Sequence, residues 1–136
     1  MRNRNIAIIG SRSFHDYRFV EITVDALLFE NEQPTIISGG AAGADAIAKH
    51  YALTHDFAYI EFPALWHKHG RSAGYIRNEQ IVDAADLVLA FWNGKSPGTK
   101  HSIDLAKAKK KNLCIYNMSM IRRASDEALL RRGKMF

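Results

Sequence analysis

The sequence predicts an α/β domain built on a mainly parallel sheet of five strands, or slightly more, with helices on both faces. Three observations predict it. Short, almost uniformly apolar runs recur along the 136 residues. Segments with helical spacing separate them, and glycine-bearing loops follow three of the runs. Strands covered on both faces read as continuous apolar runs rather than alternating ones. Strand–helix–strand order implies right-handed crossovers between parallel strands. Together these give a Rossmann-like three-layer sandwich.

Asn5–Ile9 is the first strand, stopping at Gly10. From Asp16 to Glu30, Phe19, Val20, Ile22, Val24, Leu27 and Leu28 recur at helical spacing, and Asp16 is suited to cap that helix. Pro34 opens a strand over Thr35–Ser38, ended by Gly39-Gly40. Ala41–His55 is alanine-rich, with Ala44, Ile47, Ala48, Tyr51 and Ala52 on one helical face. Phe57–Phe62 reads as a strand, Pro63–Ser72 as a loop and Ala73–Ala85 as a helix. Leu87–Trp92 is a wholly apolar strand before a turn-rich stretch from Asn93 to Gly98. Thr99–Lys111 is a basic amphipathic helix, Asn112–Tyr116 the last strand, and Ser125–Arg132 a terminal helix.

The length fits one domain able to bury its own core. Apolar residues make up 47% and charged residues 24%, which excludes a disordered or fibrous chain. The single cysteine, Cys114, lies in an apolar run and reads as a buried, inert thiol. The apolar stretch before Gly10 is too short for a signal-peptide core, and no window reaches the ~20 residues of a membrane span. A soluble cytoplasmic protein without membrane contact is expected. The net charge of +5 is uneven: Lys107 to Phe136 holds nine basic and two acidic residues. Lys107–Lys111 and Arg122–Arg123 therefore form a candidate nucleic-acid surface, although a solvated helix face accounts for them better, since few aromatics interleave with the charges. Exposed apolar helix faces would suit a homodimer.

The chemistry is expected at the three glycine loops: Gly10-Ser11-Arg12, Gly39-Gly40-Ala41 with Gly43 and Asp45, and Ser96 with Gly98-Thr99. In an open parallel sheet such loops share one edge, where ligands bind at the point of strand-order reversal. Glycines admit a phosphate close to the backbone, and a following helix N-terminus offers free N–H groups. Neither GxxxxGK[ST] nor GxGxxG is present, so an ordinary P-loop ATPase or nicotinamide dehydrogenase is not expected. Arg12 and Arg77 are the candidate anion forks, Asn78 follows Arg77, and Trp66 is a candidate stacking face. The six histidines form no HExxH and pair with no CxxC, so no metal and no cofactor are expected. Asp45, His101 and Asp104 are the available acid–base groups.

The succession IAIIGSR, IISGGAAGADAIA and FPALWHKHGRSAGYIRNEQIVDAADLVLAFWNGKSPGTKHSIDLAK resembles the YspA-type members of the SLOG superfamily, over about Ile6 to Tyr116. The superfamily also contains DNA-processing proteins and the LOG phosphoribohydrolases. The resemblance implies a SLOG domain over residues 1–117, with 118–136 as a basic helical extension packed on it. It implies a nucleotide-derived phosphorylated ligand held by the loops above, and a phage or mobile-element setting would suit it. LOG enzymes carry PGGxGTxxE, whose glutamate helps cleave an N-glycosidic bond; here Ser102 stands at that position. A hydroxyl supplies neither the charge nor the general base of a carboxylate. Asp104, two residues on, points ~200° away around a helix. Binding or sensing is therefore expected before catalysis. A nucleotide hydrolase (N-glycosidic or phosphoester) and DNA binding like that of the DNA-processing members remain the alternatives.

Overall fold

A computed structural model describes residues 3–118; the expected terminal helix and Arg122–Arg123 lie outside them. The elements run β1 (Asn5–Gly10), α1 (Tyr17–Leu27), β2 (Thr35–Ser38), α2 (Ala44–Thr54), β3 (Ala58–Glu61), α3 (Trp66–His69), a 3-10 turn (Gly70–Ser72), α4 (Ala73–Ala84), β4 (Leu87–Trp92), α5 (Pro97–Ala108) and β5 (Asn112–Asn117). All pairings are parallel, in the order β3-β2-β1-β4-β5. The chain moves outward from β1 through β2 to β3, then returns to the other side of β1 as β4. The order thus reverses between β1 and β4, and their C-terminal ends frame the crevice where ligands enter such sheets.

The pleat explains the apolar runs. Ile6 and Ile8 of β1 face a cluster with Val20 and Val24 of α1 and Ala48 and Tyr51 of α2. Ala7 and Ile9 face the opposite cluster, with Ile81 and Val82 of α4 and Ile103 and Ala106 of α5. Each large aliphatic chain so buried contributes roughly 1.5–3 kcal/mol. The expected three-layer sandwich is therefore the observed one.

Local signals set the ends. Asp16 caps α1 by accepting the Phe19 N–H at 3.0 Å. Pro97 occupies the first turn of α5, where its missing N–H costs nothing. Pro63–Ser72, expected as a loop, holds α3 and the 3-10 turn instead. These are single turns too short to show a period, so nothing in the spacing marked them. At the opposite end of the sheet, Glu32 accepts hydrogen bonds from Arg4 N, Nε and Nη2 and from Phe29 N. That buried pair holds the Glu32 carboxyl down at about 2, chiefly through the arginine hydrogen bonds.

Candidate functional site

The loops after β1 and β4 are tied together by Ser11, which is 3% exposed. Its hydroxyl accepts the Asn93 N–H at 3.1 Å and lies 3.0 Å from the Ser96 hydroxyl. Its own N–H donates to Phe91 O at 3.1 Å, and its carbonyl accepts from Phe14 and Ala44. Asn93 Oδ1 folds the second loop by accepting the Lys95 and Ser96 amides, each at 2.8 Å. Trp92 closes it by donating Nε1–H to Ser96 O at 3.1 Å.

Above these loops lies a cavity of about 570 Å³. Its floor is Gly10, Ser11 and the start of α5; its walls include Asp45, Arg77 and Ser102; its mouth carries Trp66, Arg71 and Tyr75. The N-terminus of α5 opens into it. The first helical bond there is Lys100 N–H to Ser96 O at 3.1 Å. Among the described residues nothing accepts the Gly98 or Thr99 N–H, and Ser96 makes no side-chain cap. Two free donors and the positive end of a twelve-residue helix thus face the cavity, an arrangement that attracts anions. Arg12, Arg71 and Arg77 line it against one carboxylate, Asp45.

The α2 loop is used differently. Asp45 turns back so that Oδ2 accepts the Ala41 N–H at 3.1 Å. The first amide of α2, on Ala44, donates to Ser11 O at 3.3 Å. Donors expected for a phosphate are here taken by the protein. Burial raises the Asp45 carboxyl above its ordinary range, opposed by the Ala41 amide and the nearby Arg77 charge. Gly43 has φ +73°, and a Cβ there would strike the Ser11 and Arg12 carbonyl oxygens. A Cβ on Gly10 would strike Phe91 O and approach Ala44. Both glycines answer to backbone packing beneath the cavity.

Arg77 crosses between loops, donating Nη1–H to Gly39 O at 2.9 Å and Nε–H to Asn78 Oδ1 at 3.1 Å. Buried Asn78 spends its amide protons on Gly98 O at 3.3 Å and His101 Nδ1 at 3.2 Å. Asn78 therefore positions α5. His101 accepts through Nδ1 and packs edge-on to Tyr75 at 4.6 Å. His101 does not line the cavity, and Asp104 is exposed and paired with Lys100 at 2.8 Å. Of the acid–base candidates, only Asp45 reaches it. Ser102, buried on the same helix, does line it. Arg71 and Tyr75, lining residues too, carry no sequence signal beyond their nearness to Trp66.

A second cavity of about 380 Å³ adjoins the first and shares Arg12, Ala41, Trp66 and Arg77 with it; Gly39, Gly40 and Glu61 are among its other lining residues. Gly98 and Thr99 belong to the first cavity alone, Gly39 and Gly40 to the second. In the basic run, Lys109 pairs with Asp83 and Glu79, and Lys111 donates to the Asp83 and Ala85 carbonyls. Lys109 and Lys111 thus brace the C-terminal end of α4. No helix among the described residues is long and apolar enough to cross a membrane, and no three His, Cys, Asp or Glu side chains converge as a metal site.

With that geometry in view, the comparisons are specific. The family model described as YspA, cpYpsA-related SLOG matches residues 4–69. The Gene 61 protein of Mycobacterium phage D29 is 35% identical over 121 residues, covering 84% of this chain and 95% of the phage protein. The chain belongs to the YspA-related SLOG family. The matched model spans β1 to α3, and the candidate residues on α4 and α5 rest on the geometry. Among solved structures, the DNA processing protein A of Helicobacter pylori, described for its single-stranded DNA binding mode, superposes with a TM-score of 0.64 at 24% identity. The alignment covers 82% of this chain and 64% of that one, and at this identity the likeness is one of fold. This SLOG chain thus shares its sheet with a protein that spans well beyond it.

Proposed function

We propose that this protein binds a nucleotide-derived phosphorylated ligand in the crevice between β1 and β4, as a receptor and without strong catalysis. The observation that carries this reading is the pair of free amides, Gly98 and Thr99, opening into a cavity rimmed by three arginines. The phosphate sits on α5, Arg77 and Arg71 screen its charge, and a base stacks on Trp66, which is 54% exposed. The receptor reading is supported by the wall chemistry. Ser102 supplies no carboxylate, and one oxygen of Asp45 accepts the Ala41 amide.

A thermal-shift panel of nucleoside mono- and diphosphates, cyclic nucleotides and ADP-ribose compounds tests this. A ligand at a hundred times its Kd stabilises by about 2.7 kcal/mol. Gly98→Asp is the decisive variant. A Cβ at Gly98 meets nothing within 4 Å, and a carboxylate at a helix N-terminus stabilises by ~0.3–1 kcal/mol. The variant should fold as well as the parent and lose the ligand shift. A shift that survives it refutes the site, and mass spectrometry on the same samples detects any turnover.

Single-stranded DNA is the second reading. It is favoured by the fold shared with a single-stranded DNA binder and by Trp66 and Tyr75 standing exposed beside Arg12 and Arg71. Aromatic faces among cations are what a stacked strand needs. Labelled oligonucleotides should then bind with an affinity that falls steeply with salt. An unchanged anisotropy at low salt removes this reading.

A further inference from the structure

The second cavity sets a carboxylate beside the two arginines it shares with the first. Its charged lining is Arg12, Arg77 and Glu61, and neither arginine pairs with Glu61 among the described residues. Glu61, the last residue of β3, is held in place by a short relay. Its Oε1 accepts the Tyr59 hydroxyl at 3.1 Å, that hydroxyl lies 2.7 Å from Ser38 Oγ, and Ser38 Oγ reaches Asp45 O at 3.4 Å. The carboxylate lies over Gly40, where a Cβ would sit 2.5 Å from Cδ and 2.8 Å from Oε2. Gly40 has φ +73°, so both the bend and the missing side chain bring this acid onto the loop. Oε2 has no protein donor among the described residues. One oxygen is anchored and the other is open to solvent, on an exposed residue at the wall of a cavity that shares the Trp66 face with the anion site.

Resting on the nucleotide reading above, we infer that Glu61 is a specificity residue that accepts the ribose hydroxyls of the ligand, placing the sugar edge in the smaller cavity and the phosphate on α5. The crevice then has a donor-lined end for an anion and, at Glu61 beside the shared arginines, one carboxylate acceptor for a neutral diol. A free ribonucleoside phosphate matches both ends. A deoxyribose supplies fewer hydroxyls to Oε2, and a phosphate on the 3′ oxygen meets the carboxylate directly. The acid therefore selects against a continuing phosphodiester chain, and Tyr59 fixes the orientation in which it does so.

The test compares adenosine 5′-monophosphate, 2′-deoxyadenosine 5′-monophosphate and adenosine 3′,5′-bisphosphate by calorimetry, on the parent protein, Glu61→Gln and Tyr59→Phe. The hydrogen bond of a charged acceptor corresponds to about a tenfold preference or more. The parent should bind the ribonucleotide about tenfold tighter than the deoxy compound, and should bind the bisphosphate weakly. Glu61→Gln should shrink the ribose preference to about threefold or less and strengthen the bisphosphate. Tyr59→Phe should keep the sign of both preferences and reduce their size. Equal binding of ribo and deoxy compounds by the parent, or a ribose preference unchanged in Glu61→Gln, overturns the inference while leaving the anion site standing. If none of the three compounds binds and Gly98→Asp has no ligand shift to remove, the nucleotide reading fails and this inference with it.

Discussion

Gly39 and Arg77 form a pair whose coupling has a sign as well as a size. A Cβ on Gly39 would fall on Arg77 Nη1 and stand 3.0 Å from its Cδ and Cζ. All three are atoms of one flexible side chain, so Gly39→Ala evicts the guanidinium and breaks its 2.9 Å bond to Gly39 O. A bond from a charged donor contributes ~1.5–3 kcal/mol when sheltered. Here the arginine is half-buried and water takes its place, leaving a loss of about 1–1.5 kcal/mol. Against that, replacing glycine by alanine restricts the unfolded chain and returns ~0.4–1 kcal/mol where the backbone allows it. In Arg77→Ala the obstructing atoms are gone and only the second effect remains. Gly39→Ala should therefore lower stability in the parent and raise it in the Arg77→Ala background, with a coupling of about 1 kcal/mol. Urea unfolding of the four proteins measures this, since additivity for independent sites holds within ~0.3–0.5 kcal/mol. The same four proteins should show ligand affinity lost equally in both single variants and no further in the double. Additive stability losses, or a Gly39→Ala protein that binds like the parent, would refute the account of Arg77 as the bridge between the two cavities.

Two further outcomes follow from the frame around the site. The Glu32 carboxyl is held at about 2 against an ordinary 4.5, so it contributes stability that is fully present above pH 4.5 and lost as pH falls through about 2. The contribution is roughly 2–3 kcal/mol, with Arg4 partly open to water, and Glu32→Gln should flatten urea midpoints between pH 2 and 5; an unchanged acid profile would refute the role of the pair. Gly43→Ala should cost ~3 kcal/mol, combining a left-handed backbone with a Cβ against two carbonyl oxygens, and circular-dichroism melting should show a Tm drop of several degrees or a failure to fold.

Much of this fold is written in residue spacing. The apolar runs are continuous because Ile6 and Ile8 bury on one face of the sheet while Ala7 and Ile9 bury on the other, and the Asp16 cap needs only its neighbours. The three glycine loops do share one edge, but spacing alone did not say what each glycine is for. Gly10 and Gly43 serve contacts with Phe91 and with the Ser11–Arg12 backbone, partners far away in the chain. Asp45 looked like a ligand to a phosphate loop, yet it bonds the Ala41 amide of that same loop. Helical phase correctly set Asp104 apart from Ser102, one exposed and one lining the cavity. Arg71 could not be read, because the single 3-10 turn that carries it leaves no periodic trace, and Tyr75, on the predicted helix α4, is exposed and carries no spacing that marks it as a lining residue.

The buried Ser11 hydroxyl, touching both crevice loops, has a consequence for how fast a ligand arrives and leaves. Because it spans the gap between the β1 and β4 ends, it should hold the width of the crevice before anything enters. Among the described residues the floor is already assembled, so little conformational entropy should be spent there at encounter. Association should run as a single phase, linear in ligand concentration, hastened by the arginine rim and slowed by added salt. Differences in affinity among related ligands should then appear almost wholly as differences in residence time.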